Sequence, residues 1–218
     1  MYAKGFRKSL PKDPVEAEDK TPVFINQDTK NLIIGTMISY DGRFVDGKYG
    51  NGNFDFFYPN EAKNHLWSFL FKVFDSTPKD LSEYKKRSRI EKEQFLIRNN
   101  IGMTNLISKC ICKKNCSYDS QIMITKIKNE IPKKILNSNL QKIFFTSKNT
   151  FSLFLNLPNI EISCKEDIVT LKTNIMFPLI INGRKFTAFI LPNPTSRGRF
   201  KGDTLENKYF EYKKMLIA

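Results

Sequence analysis

Asn31-Leu32-Ile33-Ile34-Gly35-Thr36 is a short apolar run ending on glycine, the pattern of a buried strand that delivers the chain into a loop. The stretch after it, residues 39–55 (SYDGRFVDGKYGNGNFD), is dense in Gly, Asp and Asn, which predicts a long, ordered surface loop. Residues 62–74 (AKNHLWSFLFKVF) then carry Leu66, Trp67, Leu70, Phe71 and Phe74 at helical spacing. A second strand is expected at Lys142-Ile143-Phe144-Phe145-Thr146-Ser147, with a helix at 149–155 behind it. A third pattern is a hairpin, in which Phe177-Pro178-Leu179-Ile180-Ile181 and residues 185–191 flank Asn182-Gly183. Its second arm runs straight into LPNPTSRGRF, residues 191–200.

Charged, helix-like residues fill 80–99, and residues 101–107 (IGMTNLI) suit a strand or a buried turn. Asp119-Ser120 precedes QIMITKIKNEIPKKIL, which reads as a capped helix, and residues 204–216 read as a terminal helix. Strands alternating with helices predict an α/β fold, a three-layer α/β/α sandwich with a central, mainly parallel sheet. In such sheets ligands sit beyond the C-terminal ends of the strands. That places three loops on one rim, those following Gly35, Phe145 and Leu191.

The chain has 218 residues, enough for one well-cored domain at 23–218 behind a mobile, mixed-charge leader at 1–22. Its 36 Lys and Arg against 22 Asp and Glu leave a net charge of +14, which attracts polyanions such as DNA. Its richness in Lys, Asn, Ile and Phe also fits an AT-rich genome, which would account for part of that charge. No apolar run approaches the ~20 residues of a membrane span, and the N-terminus lacks a signal-peptide core. A cytoplasmic monomer without membrane contact is the resulting expectation. Cys110, Cys112 and Cys116 form a C-x-C-x3-C cluster with Cys164 far downstream. Metal binding would need all four to converge, so free thiols and no metal or other cofactor are expected.

Taken in order, GTMIS (35–39), FDFFYPNEAKNHLW (54–67), NIGMTNLISKC (100–110), KIFFTSK (142–148) and LPNPTSRGR (191–199) resemble the uracil-DNA glycosylase superfamily. The likeness is greatest to its mismatch-uracil and hypoxanthine-DNA glycosylase branches and spans roughly residues 30–200. It implies an enzyme of base excision repair that removes a deaminated base, uracil or hypoxanthine, from single- or double-stranded DNA. Such an enzyme must flip the base into a pocket and stack it on an aromatic ring. The resemblance assigns the pocket to Gly35, Thr36, Met37, Phe57 and Tyr58, although both aromatics would serve equally as core. The backbone amides of Thr36 and Met37 are the natural donors to the departing base.

Asn64 stands where the hypoxanthine branch has its catalytic asparagine, and it would also suit a helix cap. Asp41, Asp46 and Asp55 are the alternative water activators, because GTMIS carries neither an acidic residue nor a proline directly after its glycine. Leu191, not the single histidine His65, precedes the proline of the third loop, as in the hypoxanthine branch; His65 is expected at the surface or a helix end. Pro192 and Pro194 stiffen that loop. Asn193, Thr195 and Ser196 offer hydrogen bonds to phosphates, Arg197 and Arg199 add charge, and Arg197 could act as a wedge. Ser147 and Lys148 on the second loop are further phosphate candidates. The atypical first loop keeps open an inactive relative that binds nucleic acid or a protein partner.

Overall fold

A computed structural model describes residues 7–37, 44–45, 48–49, 57, 64–75, 88–113, 121–157, 161–164, 176–195 and 204–217. The chain begins with strands β1 (Pro14–Glu18), β2 (Asn31–Gly35), β3 (Phe44–Val45) and β4 (Lys48–Tyr49), then helices α1 (Leu66–Phe74) and α2 (Arg89–Arg98). It continues through β5 (Ile101–Asn105), β6 (Ile107–Lys113), β7 (Ile122–Ile127), α3 (Ile131–Leu136), β8 (Lys142–Phe145) and α4 (Lys148–Phe154). The last elements are β9 (Ile162–Ser163), β10 (Met176–Ile181), β11 (Arg184–Ile190) and α5 (Leu205–Ile217).

A six-stranded mixed sheet in the order β5-β2-β8-β11-β10-β9 holds the centre. The pairs β2–β5, β2–β8 and β8–β11 are parallel, while β10 runs antiparallel to both β11 and β9. Because successive side chains on a strand point to opposite faces, the register sorts the core into two layers. Met103, Ile33, Phe144 and Phe189 form one row across four strands. They pack with Leu66, Trp67 and Phe69 of α1, Phe95 and Leu96 of α2, and Tyr209 and Tyr212 of α5. Ile34, Phe145 and Ile190 make the neighbouring row on the opposite face, against Ile135 of α3 and Phe151 and Phe154 of α4. Phe144 and Phe189 stack with ring centroids 4.9 Å apart, pinning β8 to β11 in the middle of the sheet.

The β10–β11 hairpin turns through Asn182 (φ 45°) and Gly183 (φ 79°), the two positive φ values that its two-residue turn requires. Residues 24–29 lie flat against β5 at Gly102, where a Cβ would come within 2.9 Å of the Phe24 carbonyl oxygen and 2.8 Å of Thr29 Cγ2. Only hydrogen fits there.

A second, five-stranded sheet, ordered β4-β3-β1-β6-β7, is antiparallel throughout and corrects several expectations. Residues 14–18 lie in the segment expected to be a mobile leader, yet β1 pairs along its whole length with β6. The physical reason is period-two alternation: Ala17 is buried and Val15 packs on the core, while Glu16 is exposed and Glu18 faces Lys109 at 3.8 Å. The Gly/Asp/Asn-rich stretch, expected to be a surface loop, contributes β3 and β4 to this sheet. The helix expected after Asp119-Ser120 is a strand, β7, over Ile122–Ile127, followed by the short α3. Ile122 and Ile124 alternate toward the core, and β-branched residues favour that extended conformation. Asp119 and Ser120 themselves lie outside the described residues. Helix α1 starts at Leu66, inside the range expected for it, and IGMTN is a strand. Cys110 and Cys112 are buried core residues of β6 and Cys164 is half-buried, while Cys116 lies outside the described residues.

Arg184, the first residue of β11, ties the hairpin to the chain that follows α3. Its guanidinium donates to the carbonyls of Ser138 at 2.7 Å, Leu140 at 2.6 Å and Leu136 at 3.3 Å, and it lies over the Phe186 ring at 4.9 Å. The Arg184→Ala variant should lose about 2–3 kcal/mol, because several carbonyls lose a charged donor together. Urea unfolding monitored by tryptophan fluorescence should show a lower midpoint with an unchanged slope.

Candidate functional site

The parallel strands β2, β8 and β11 end side by side, and backbone hydrogen bonds carry their alignment into the loops beyond them. Thr146 N–H donates to the Ile34 carbonyl at 3.0 Å, Leu191 N–H to Phe145 at 2.8 Å, and Leu106 N–H to Gly35 at 2.9 Å. The three loops expected on one rim therefore start next to one another. Behind the first two runs a chain of hydroxyls. Thr36 Oγ1 is 2.7 Å from Thr150 Oγ1, which is 2.8 Å from Ser147 Oγ. Ser147 caps α4 by accepting from Thr150 N–H at 3.1 Å, so its hydroxyl is already engaged, and Lys148 opens the helix half-buried. Met37 lies in the core, 8% exposed.

The third loop is held from two sides. Asn64 and Thr195 form an antiparallel bridge, and His65 N–H donates to the Pro194 carbonyl at 2.9 Å, joining the loop to the start of α1. From α5, the buried Lys208 ammonium donates to the Thr195 carbonyl at 2.9 Å and the Tyr212 hydroxyl to the Pro192 carbonyl at 2.9 Å. Asn193 is exposed, and its Oδ1 accepts from Thr195 N–H at 3.0 Å in an Asx turn. Asn64 Oδ1 accepts from Leu66 N–H at 3.0 Å, a cap-like bond one residue before the helix N-cap.

Phe57, which the sequence leaves open as a stacking ring or a core residue, is fully buried beside Trp67, whose Nε1–H donates to the Phe57 carbonyl at 2.8 Å. It packs in the same core layer as α1. His65 stands at the helix end, one of the two places expected for it, and is buried there, 5% exposed. Asp41, Asp46, Asp55, Tyr58, Ser196, Arg197 and Arg199 lie outside the described residues.

Beside Gly35, and in register with it, the last residue of β5 is Asn105, which the sequence reading passed over. It is fully buried, and its Nδ2 donates to Asp19 Oδ2 at 2.9 Å and Thr21 Oγ1 at 3.3 Å. Lys128 completes the cluster, its ammonium 2.6 Å from the Thr21 carbonyl and 3.5 Å from Asp19 Oδ1. Burial pushes the Lys128 ammonium below its ordinary pKa, and the neighbouring Asp19 carboxylate pulls back against that shift. Asn105 Oδ1 is buried and has no hydrogen-bond partner among the described residues. Leaving such an acceptor unmatched costs about 1–3 kcal/mol, so the atom calls for a partner that the described residues do not supply. The available signal was a polar residue closing an apolar strand at the level of Gly35. Its partner Asp19, however, stood in a segment read as mobile.

Among the described residues no group of three or more His, Cys, Asp or Glu is placed to hold a metal ion, and no helix is long and apolar enough to cross a membrane. No protein-family model matches the chain, and no curated protein matches it. Among solved structures, it is similar to a protein of Methanosarcina acetivorans, determined by solution NMR and named a candidate uracil DNA glycosylase. The TM-score is 0.54 at 14% identity, over 92% of this chain and 96% of the other. At that identity the likeness is one of fold: a mixed sheet with helices.

Proposed function

We propose that this protein is a DNA glycosylase that hydrolyses the N-glycosidic bond of a deaminated base, uracil or hypoxanthine, in DNA. The observation that carries this reading is the junction of Asn64 with the third rim loop through Thr195, beside strands whose ends hold the other two loops. Breaking the bond builds positive charge on the sugar and negative charge on the departing base. Water is the nucleophile, so the reaction calls for no cofactor. In this reading the Asn64 amide orients the water, with Asp41 and Asp55 as the acidic alternatives. The backbone amides of Thr36 and Met37 receive charge from the base, and Asn105 Oδ1 accepts a hydrogen bond from its ring edge. Pro192, Asn193, Pro194 and Thr195, continued by Ser196, Arg197 and Arg199, hold the phosphates, with Ser147 and Lys148 beside them. The +14 net charge speeds encounter with the duplex.

The test is a panel of oligonucleotides, single- and double-stranded, containing uracil, hypoxanthine, xanthine or an alkylated base. Purified protein should leave alkali-labile abasic sites at uracil or hypoxanthine. Complete absence of cleavage across the panel rejects the activity. A second reading, a DNA-binding protein of the same fold without turnover, is favoured by the burial of Phe57 and by the engagement of Asn64 Oδ1 at the helix start. Salt-sensitive duplex binding with no cleavage would select it.

A further inference from the structure

Strand β10 is apolar on both of its faces, a pattern that belongs to strands covered on both sides. Phe177, Leu179 and Ile181 point into the core, each 2% exposed or less. Met176, Pro178 and Ile180 alternate with them on the other face, the one that α1, α2 and α5 cover elsewhere. Met176 is the fifth member of the row Met103, Ile33, Phe144 and Phe189. The first four are 3% exposed or less, whereas Met176 is 66% exposed and Pro178 is exposed beside it. Among the described residues, then, the helices stop at β11 and leave this face of β10 bare. A groove of about 580 Å³ opens there, lined by Met176, Pro178, Lys185 and Thr187, and by Leu140 and Gln141 of the chain entering β8.

The charge beside the groove has one sign. Lys142 is in register with Thr187 and so shares its face, and Lys185 lies opposite Ile180. Neither lysine forms an ion pair among the described residues, and no Asp or Glu lines the groove. Stacked bases would need an exposed aromatic ring, but Phe177 and Phe186 are 2% and 4% exposed. Methionine, proline and isoleucine beside lysines suit an apolar stripe bordered by carboxylates. The width is that of one helix: two strand spacings put β9 and β11 about 10 Å apart, and a helix with its side chains is about 10–12 Å across. A second copy of this chain, itself at +14, is disfavoured by its charge.

We propose that this bare face is the docking site for an acidic amphipathic helix of a partner protein. Its apolar stripe lies on Met176, Pro178 and Ile180, its carboxylates meet Lys142 and Lys185, and it extends the cover that α1, α2 and α5 begin. The groove opens where β8 and β11 start, while the rim lies where they end, so the docked helix leaves the three rim loops free. This inference stands apart from the glycosylase reading.

The probe is a synthetic peptide of about 18 residues with leucine at helical spacing and glutamate on either side, and its control carries lysine in place of glutamate. Binding to the full chain, in saturating duplex DNA, is followed by fluorescence anisotropy. The glutamate peptide should bind and the lysine peptide should not. Lys142→Glu/Lys185→Glu should weaken binding about tenfold and Met176→Gln about fivefold. Lys213→Glu/Lys214→Glu, an equal change of charge at exposed positions of α5, should leave it unchanged. No binding, or an equal loss in the α5 variant, overturns the site. Self-association of the free chain that Met176→Gln abolishes overturns it in favour of a second copy. Duplex binding weakened more by Lys142→Glu/Lys185→Glu than by the α5 variant overturns it in favour of DNA. The wild type alone supplies an independent check: under mild peroxide Met176 should oxidise quickly and the buried Met103 slowly. Equal protection of Met176 would mean that the chain covers this face itself, and would overturn the proposal.

Discussion

Replacing Asn64 by alanine is expected to lower turnover on uracil- or hypoxanthine-containing DNA by about 10²–10³-fold while duplex affinity stays close to wild type. Asn64 sits where the start of α1 meets the third loop, so its side chain can act on chemistry there without being needed for the electrostatic grip on DNA. The same truncation removes the bond from Leu66 N–H, at a cost of about 1 kcal/mol in stability. Asn64→Asp separates the two effects, since a carboxylate still accepts from Leu66 N–H but has lost the amide donors. Single-turnover rates and thermal midpoints measured together should show both variants slow and only the alanine variant destabilised. Unchanged turnover in Asn64→Ala would move the water-activating role to Asp41 or Asp55.

The second large effect is expected from α5. Lys208 and Tyr212 hold the third loop by the Thr195 and Pro192 carbonyls, and neither bond depends on DNA. Two prolines stiffen the loop, and these anchors join the Asn64–Thr195 bridge and the His65–Pro194 hydrogen bond in setting where it stands relative to α1. Lys208→Met combined with Tyr212→Phe should lower kcat/KM by about 10²-fold, the scale of a small misplacement at a reacting site, with little change in helix content. The salt dependence of duplex binding is the informative control. Because Lys208 is 2% exposed and already bonded to a carbonyl, the slope of log K against log salt should be unchanged. A slope reduced by about one would mean that Lys208 meets a phosphate directly.

Much of this architecture was legible because the relevant signals are local. NLIIGT, KIFFTS and the Asn182-Gly183 hairpin state their own conformations through short-range sterics and apolar runs, and each stands where expected. The rim of three loops followed from the parallel order of those strands. QIMITKI failed for a physical reason: a run rich in isoleucine fits either period, and pairing with β6 decided in favour of the strand. Phe57 is open to two readings in the sequence, since an aromatic beside a candidate pocket is indistinguishable there from one beneath a helix, and only the packing shows it fully buried with α1.

By itself, then, the sequence determined the strands that carry the rim, the two prolines that stiffen its third loop, and the positive charge that suits a polyanion. These depend on residues adjacent in the chain. The tertiary structure alone decided that residues 14–22 are part of the folded body and that α5 anchors the third loop. It also decided that Asp19, Asn105 and Lys128 share one buried cluster. Those partners are separated by up to 109 residues, and a hydrogen bond across that span follows only from the long-range packing that brings the two sheets together.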